Sequence, residues 1–136
     1  MDGVNCWIAP LFYVTDKKYH FYFISEYKSL HAQHIRKNSN AAVAIFNSQT
    51  KPELVNGIQM SVKVIELKEN LQKIIKLIYR KPEAKLLKQR FPDYSNSKSY
   101  LGKSPFRIYR ITPINTYILD PKITHTDKKI KVNISA

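Results

Sequence analysis

The pattern of apolar and polar positions changes period along the chain, and each period predicts a different element. The nearly all-apolar run from Trp7 to Val14, the polar turn TDKK and the aromatic run YHFYFIS predict a β-hairpin. The stretch LHAQHIRKN has helical spacing and predicts a short helix that ends near residues 38–40, with Ser29 as its N-cap. The stretch AAVAIFN then predicts a compact strand.

The second half of the chain contains the clearest alternation and the clearest helical period. The stretch GIQMSVKVIEL alternates strictly, which predicts a strand with Met60 and its neighbours on a packed face and Gln59, Ser61 and Lys63 on a polar one. Helical spacing between residues 68 and 91 predicts two helices, the first with an apolar face of Leu71, Ile74, Ile75 and Ile78, the second starting at Pro82 with a face of Ala84, Leu87 and Phe91.

The remaining stretches complete the expected fold. NSKSYLGKS is expected to be a loop, PFRIYRI and NTYIL are expected to be strands on either side of Thr112-Pro113, and KIKVNI is expected to be a weaker final strand. About six short strands joined mostly by turns, with helices in one insertion and one connection, predict a mainly β (α+β) fold: an antiparallel barrel or sandwich with added helices. At 136 residues and 43% hydrophobic composition, we expect a single globular domain over 1–136.

Composition excludes some classes and leaves one open. The longest apolar run is far shorter than the roughly 20 residues of a membrane span, so no membrane partner is expected. The single Cys6 cannot form an internal disulfide and has no second thiol for a zinc site, which suits a cytoplasmic protein. The net charge of +13 is compatible with a basic nucleic-acid-binding barrel. The bases are scattered and are mostly lysine, so a solvated basic surface is the preferred interpretation.

The stretch SEYKSLHAQHIRKNSN places many hydrogen-bonding groups between a strand and a helix. A helix that starts after Ser29 directs free backbone N–H groups and the positive end of its dipole into the preceding loop, which suits a phosphate. Ser25, Ser29 and His31 would supply further donors, and Lys28 would add charge. From the residues alone, a plain helix cap is the commoner explanation of Ser29.

These residues carry a resemblance. The chain resembles the pyridoxamine 5'-phosphate oxidase-like family of split barrels that bind flavin mononucleotide (FMN), and is most similar to small bacterial members of unassigned substrate that share the tripeptides HAQ and GIQ. The similarity covers about residues 7–120, through the ordered stretches WIAPLFYV, FYFISEYKSLHAQHI, NAAVAIF, GIQMSVKVIEL and FRIYRITPINTYILD. It implies an antiparallel split β-barrel of about six strands with two or three short helices.

The resemblance also implies a cofactor site. It implies that the flavin ring lies along Ala9, Pro10, Leu11 and Phe12, near Gln59 and Tyr117. It implies that Ser25, Ser29 and His31, with Lys28 nearby, hold the flavin phosphate. The family pattern further implies a homodimer with the flavin at the subunit interface.

The chain departs from the family pattern at several places. Leu30 and His31 stand where the family has arginine and lysine, so a permanent bidentate charge is replaced by an apolar residue and a titratable one. HTDKKIKV does not reproduce the family's basic C-terminal motif, so pyridoxamine 5'-phosphate oxidase activity itself is not expected. Most members have a helix and a strand before the first matched segment; we expect either a barrel edge that is exposed or covered by a partner, or weakened flavin binding.

The function predicted from the sequence is FMN binding, with flavin-dependent oxidoreductase activity on an unknown substrate and an unknown catalytic residue. Two alternatives remain: a basic barrel that binds nucleic acid, and a carrier of flavin or heme without turnover. His31 and His34 share a helix but have no third ligand close in sequence, so no metal site is expected.

Overall fold

A computed structural model describes residues 6–49, 51, 57–90, 92–119 and 129–134. Its strands are β1 (Val14–Thr15), β2 (Phe21–Glu26), β3 (Asn40–Phe46), β4 (Gly57–Glu66), β5 (Phe106–Leu119) and β6 (Lys129–Val132). Its α-helices are α1 (Leu30–Lys37), α2 (Leu71–Tyr79) and α3 (Lys85–Arg90), with 3-10 turns at Pro82–Ala84, Pro92–Ser95 and Ser97–Tyr100.

All six strands form one antiparallel sheet around the long strand β5. The order is β1-β2-β5-β4-β3, with β6 also paired to β5. One edge of β5 pairs with β4, while the other edge pairs first with β2 and, further along the strand, with β6. This mainly β architecture confirms the predicted fold class, an antiparallel split barrel with short helices.

Each face of the sheet packs against its own helix. On one face, α2 buries Ile74, Ile75 and Ile78 against Tyr22 and Ile108, as the helical spacing predicted. On the other face, the core contains a stacked pair of rings, Phe23 and Tyr109, with centroids 5.0 Å apart. The same core includes Ala32 of α1 and three alternate residues of β4, namely Met60, Val62 and Val64.

Two predicted strand boundaries are wrong. The run from Trp7 to Val14 is not a strand: only Val14–Thr15 pairs with β2, and residues 7–13 have no regular structure. Pro10 lacks the N–H that a ladder needs, and Ile8 is 89% exposed. The two strands predicted around Thr112-Pro113 are one strand, β5, because a register shift opposite Ser61 and Val62 accommodates the proline.

The connection between α2 and β5 is more ordered than predicted. The stretch expected to be a loop contains the turn Ser97–Tyr100, and Tyr100 is 1% exposed. Ala84 is buried, as its predicted face requires, whereas the Leu87 side chain and Phe91 lie outside the described residues. Within the described part of the chain, every helix is too short or too polar to cross a membrane.

Candidate functional site

Helix α1 starts directly after the turn that leaves β2, and its first residue follows a capping serine. The Ser29 hydroxyl accepts a hydrogen bond from the Ala32 amide at 3.3 Å and donates one to the Glu26 carbonyl at 2.8 Å. This confirms Ser29 as the N-cap. The bonds orient α1 so that its amino end faces the end of β2.

Three of the predicted phosphate ligands meet at this point. Ser25 Oγ lies 2.5 Å from His31 Nε2 and 3.3 Å from Ser29 Oγ, and Ser29 Oγ lies 3.3 Å from the same ring nitrogen. We call Ser25, Ser29 and His31 the Ser–His cluster. Because its members bond to one another, a bound anion would have to take the place of the Ser25–His31 hydrogen bond.

The Ser–His cluster carries little charge of its own. Burial lowers the pKa of His31 below its usual value, so the imidazole is neutral at physiological pH. Leu30, on the first turn, is 40% exposed. Lys28 is exposed on the intervening turn, where its carbonyl accepts a hydrogen bond from Gln33. Lys28 is the residue directly before the capping serine, so its ammonium is a candidate cation for this site.

Two arginines that the sequence analysis missed lie beside this turn. The Arg36 guanidinium lies 3.8 Å from the Tyr27 ring centroid and donates to the Tyr27 carbonyl, while Arg107 lies 4.8 Å from the same ring. Arg107 is buried, pairs with Ser25 across the sheet and has Nε 3.8 Å from Glu66. Arg36 follows the Ser29 cap by seven residues, about two helical turns, so its place on the same side of α1 could have been predicted from the sequence. The place of Arg107 depends on strand pairing, which the sequence does not show.

Gln59 and Tyr117, predicted near the flavin ring, are direct cross-strand partners on β4 and β5. Gln59 is exposed, as the alternation predicted. On β5, Arg107 pairs with Ser25 and Tyr117 pairs with Gln59, and these two positions are ten residues apart, which is about 30 Å of strand length at 3.3 Å per residue. Gln59 and Tyr117 therefore lie far along β5 from the strand position of Ser25.

The predicted ring segment Ala9–Phe12 leads into β1 without strand structure. Pro10 and Leu11 are exposed, while Phe12 lines a cavity of about 210 Å³. The cavity is largely aromatic and lies between the sheet and the end of α2, with Tyr22, Ile78, Tyr94, Tyr100 and Phe106 among its walls.

The described residues contain no group of three or more His, Cys, Asp or Glu side chains that could hold a metal ion.

No protein-family model matches the chain, and no curated protein matches it in sequence. Solved structures do match it. A protein of unknown function from Agrobacterium tumefaciens has a TM-score of 0.60 at 18% identity, covering 88% of this chain and 47% of the other. A heme binding protein from Mycobacterium smegmatis has a TM-score of 0.60 at 9% identity, covering 91% and 46%.

A third structure, a proposed pyridoxamine 5'-phosphate oxidase from Listeria innocua, has a TM-score of 0.56 at 13% identity, covering 88% of this chain and 82% of the other. The chain spans about half the length of the first two structures. At these identities the likeness concerns the fold. The chain has the split-barrel fold found in a pyridoxamine 5'-phosphate oxidase-like protein and in a heme-binding one.

Proposed function

We propose that this chain binds FMN non-covalently, with the flavin phosphate on the Ser–His cluster. The observation that carries the proposal is the convergence of two hydroxyls and an imidazole, 2.5 to 3.3 Å apart, at the start of α1. Support comes from the shared fold with a proposed pyridoxamine 5'-phosphate oxidase and from the resemblance of the matched sequence stretches.

The hydrogen-bond donors at the Ser–His cluster are of the chemical types that bind phosphate. The Ser25 hydroxyl can donate a hydrogen bond to a phosphate oxygen, and the imidazole can donate when it is protonated. The Ser29 hydroxyl can donate to the phosphate only by giving up its hydrogen bond to the Glu26 carbonyl. The first amides of α1 add donors that the helix itself leaves unused. The side chain of Lys28 and the guanidinium of Arg36 supply positive charge near the turn. The set contains no bidentate arginine, so we expect a moderate affinity.

A second copy of the chain would complete the site. We propose that the ring of a flavin held at one protomer's Ser–His cluster reaches Gln59 and Tyr117 of its partner. The separation of about 30 Å along β5 supports this arrangement, since a two-fold axis can bring opposite ends of two protomers together. The exposed face around Gln59, which also carries Ser61 and Ile65, is the proposed contact surface.

Bound flavin would supply hydride or single-electron transfer, which makes an oxidoreductase the proposed class. The residues of the chain would hold and orient the cofactor. Ser25 and Ser29 would fix the phosphate, and Gln59 would hydrogen-bond the ring edge. An assay for the oxidation of reduced nicotinamide by the flavin-loaded protein distinguishes two cases. Turnover indicates an enzyme, and no turnover indicates a flavin carrier.

The proposal is tested by titrating FMN into the purified full chain and following flavin fluorescence. Saturable quenching with a stoichiometry of one flavin per chain supports it. A linear signal without saturation, together with protein that carries no flavin absorbance after purification, contradicts it.

Heme is the second candidate ligand, because a heme binding protein shares the fold with a TM-score of 0.60. Adding hemin to the same preparation separates the two. A shifted and sharpened heme absorbance band that FMN does not displace would favour heme.

A further inference from the structure

A second cavity lies away from the Ser–His cluster, at a gap in the sheet. Strand β2 pairs with β5 as far as Ile111, and β6 pairs with the same edge from Thr116. Among the described strands, none covers the edge of β5 between these points, and Pro113 offers no N–H there. The gap opens into a cavity of about 560 Å³.

Among the described residues that line this cavity, two are lysines and none is an aspartate or glutamate. Lys18, Tyr19 and His20 line it from the turn between β1 and β2, and Lys131 lines it from β6. Thr112 and Thr116 of β5 are also among its walls. Lys18, His20 and Lys131 therefore border one space, and their side chains are of the types that bind an oxyanion. The strand register places Lys131 on the face of its partner Tyr117, and Thr116 on the other face of β5.

The turn between β1 and β2 is fixed by Asp16. Its carboxylate accepts hydrogen bonds from the amides of Lys18 and His20 at 2.8 and 2.9 Å and from the Tyr22 hydroxyl at 2.8 Å. The second carboxylate oxygen lies 3.0 Å from His20 Nδ1. This contact orients the ring and leaves Nε2 for a hydrogen bond to a ligand.

The backbone of the same turn is strained. Tyr19 has a φ of 62°, in the left-handed region that a bulky residue rarely adopts, and it is 48% exposed. Strain of this kind costs about 1–3 kcal/mol and is found at binding sites more often than elsewhere. The strained residue lines the cavity between the two polar groups Lys18 and His20.

We propose that this cavity is a second ligand site, and that it binds a small organic anion, carrying a phosphate or carboxylate group, through Lys18, His20 and Lys131. It shares no residue with the candidate flavin residues, and Lys131 is the cross-strand partner of Tyr117 at the ring end of that site. Asp16 acts as a positioning residue, because it holds the turn and the imidazole and does not line the cavity.

An amide and imidazole NMR titration of the full chain tests the site, with inorganic pyrophosphate and citrate as separate probes. We expect saturable shifts at residues 18–20 and 131 and at the His20 ring. The better-bound probe identifies phosphate or carboxylate as the preferred group. If neither probe produces a saturable shift at these residues, the proposal is wrong.

Two double variants distinguish a specific binding site from general attraction of an anion to a positively charged surface. Lys18→Ala with Lys131→Ala should weaken binding about tenfold or more, since hydrogen bonds from two charged groups to the anion are lost. Lys73→Ala with Lys76→Ala, on exposed positions of α2, removes the same charge and should leave binding unchanged. Equal weakening by both pairs would overturn the proposal. All four lysines are exposed, so both variants are expected to fold.

Discussion

At the scale of single residues, the candidate phosphate site depends on an imidazole whose charge is conditional. The burial of the ring favours the neutral form of His31, because burial lowers its pKa. A phosphate dianion favours the protonated form. The departure from the family's lysine at this position therefore exchanges a permanent charge for one that the ligand must induce.

His31→Lys is predicted to tighten FMN binding. The gain should be about tenfold at pH 8, where the native imidazole is neutral, and should shrink as the pH falls toward the lowered pKa of His31, because the native ring then gains its own proton. Fluorescence titrations of both proteins across this range measure the ratio. His34→Lys on the same helix is the control and should show neither effect, and a ratio that stays constant with pH would contradict the prediction.

The lowered pKa of Asp16 predicts that the folded chain loses stability in acid. Burial alone would raise its pKa, but hydrogen bonds from the His20 amide and ring, the Tyr22 hydroxyl and the Lys18 amide outweigh burial and lower the pKa to about 2. The folded state thus binds this proton less readily than the unfolded chain. The resulting stabilisation, up to about 2 kcal/mol, is complete above about pH 4 and is lost as the pH falls toward 2.

Urea unfolding of the native chain and of Asp16→Asn at several pH values measures this contribution. The difference in unfolding free energy should be largest near neutral pH and should vanish in strong acid. Tyr22→Phe, which removes one donor and keeps the ring, should lose part of it. A difference that persists unchanged at low pH would argue against the assigned role of Asp16.

At the scale of elements, the period of apolar residues predicted which helices and strands are packed. It gave wrong strand boundaries where pairing with another strand decides the structure. The alternation in β4 and the helical spacing in α2 predicted their buried residues, because each element's own side-chain period determines which face can be buried. The run before Val14 has strand-like residues but finds no described strand to pair with, and sequence does not report pairing. The continuity of β5 through Pro113 likewise depends on the bulge opposite β4.

In the candidate site, too, local features could be predicted from the sequence and features that depend on strand pairing could not. The cap at Ser29 and the proximity of His31 follow from local helix geometry and could be predicted. The pairing of Ser25 with Arg107 and of Gln59 with Tyr117 depends on the strand order, which places β5 between β2 and β4. The strand order therefore decides which residues lie beside Ser25 and Gln59. Of the two partners, Tyr117 could be predicted through the family resemblance and Arg107 could not.

Helix α2 is predicted to be the main support of its face of the sheet. Ile75 is 2% exposed among Tyr22, Ile108 and Tyr100 in the same core, so Ile75→Ala should lower the unfolding free energy by about 2–5 kcal/mol. Leu86→Ala, at a position 71% exposed on α3, should change it by less than about 0.5 kcal/mol. Chemical denaturation of the two variants checks the contrast, and similar losses would place the core elsewhere.

At the scale of the whole molecule, the two halves of the candidate flavin site lie at opposite ends of β5. The phosphate end belongs to the turn after β2, and the ring end belongs to the exposed face of β4. A monomer could bind the phosphate and would leave the ring without Gln59. Under the proposed arrangement, binding and assembly would be linked, and flavin would stabilise the proposed dimer by mass action.

Mixing two inactive variants tests the shared site. Chains with Ser25→Ala, Ser29→Ala and His31→Ala keep the ring end, and chains with Gln59→Ala and Tyr117→Ala keep the phosphate end. Each alone should bind FMN weakly. After unfolding and refolding together, heterodimers should regain one native site, giving about one quarter of the native binding capacity for random pairing. No recovery in a verified heterodimer would mean that each site is built within one chain.

The central claim, that the start of α1 holds a flavin phosphate, is tested most directly by comparing the dissociation constants of FMN and of riboflavin, which has the same ring without the phosphate. The native chain should bind FMN about a hundredfold more tightly, as expected for several charge-assisted hydrogen bonds. In Ser29→Asp, which keeps a helix-capping side chain but repels an anion, the two constants should become nearly equal while stability is retained. Equal affinities in the native chain, or a preference for FMN that survives in Ser29→Asp, would contradict the account.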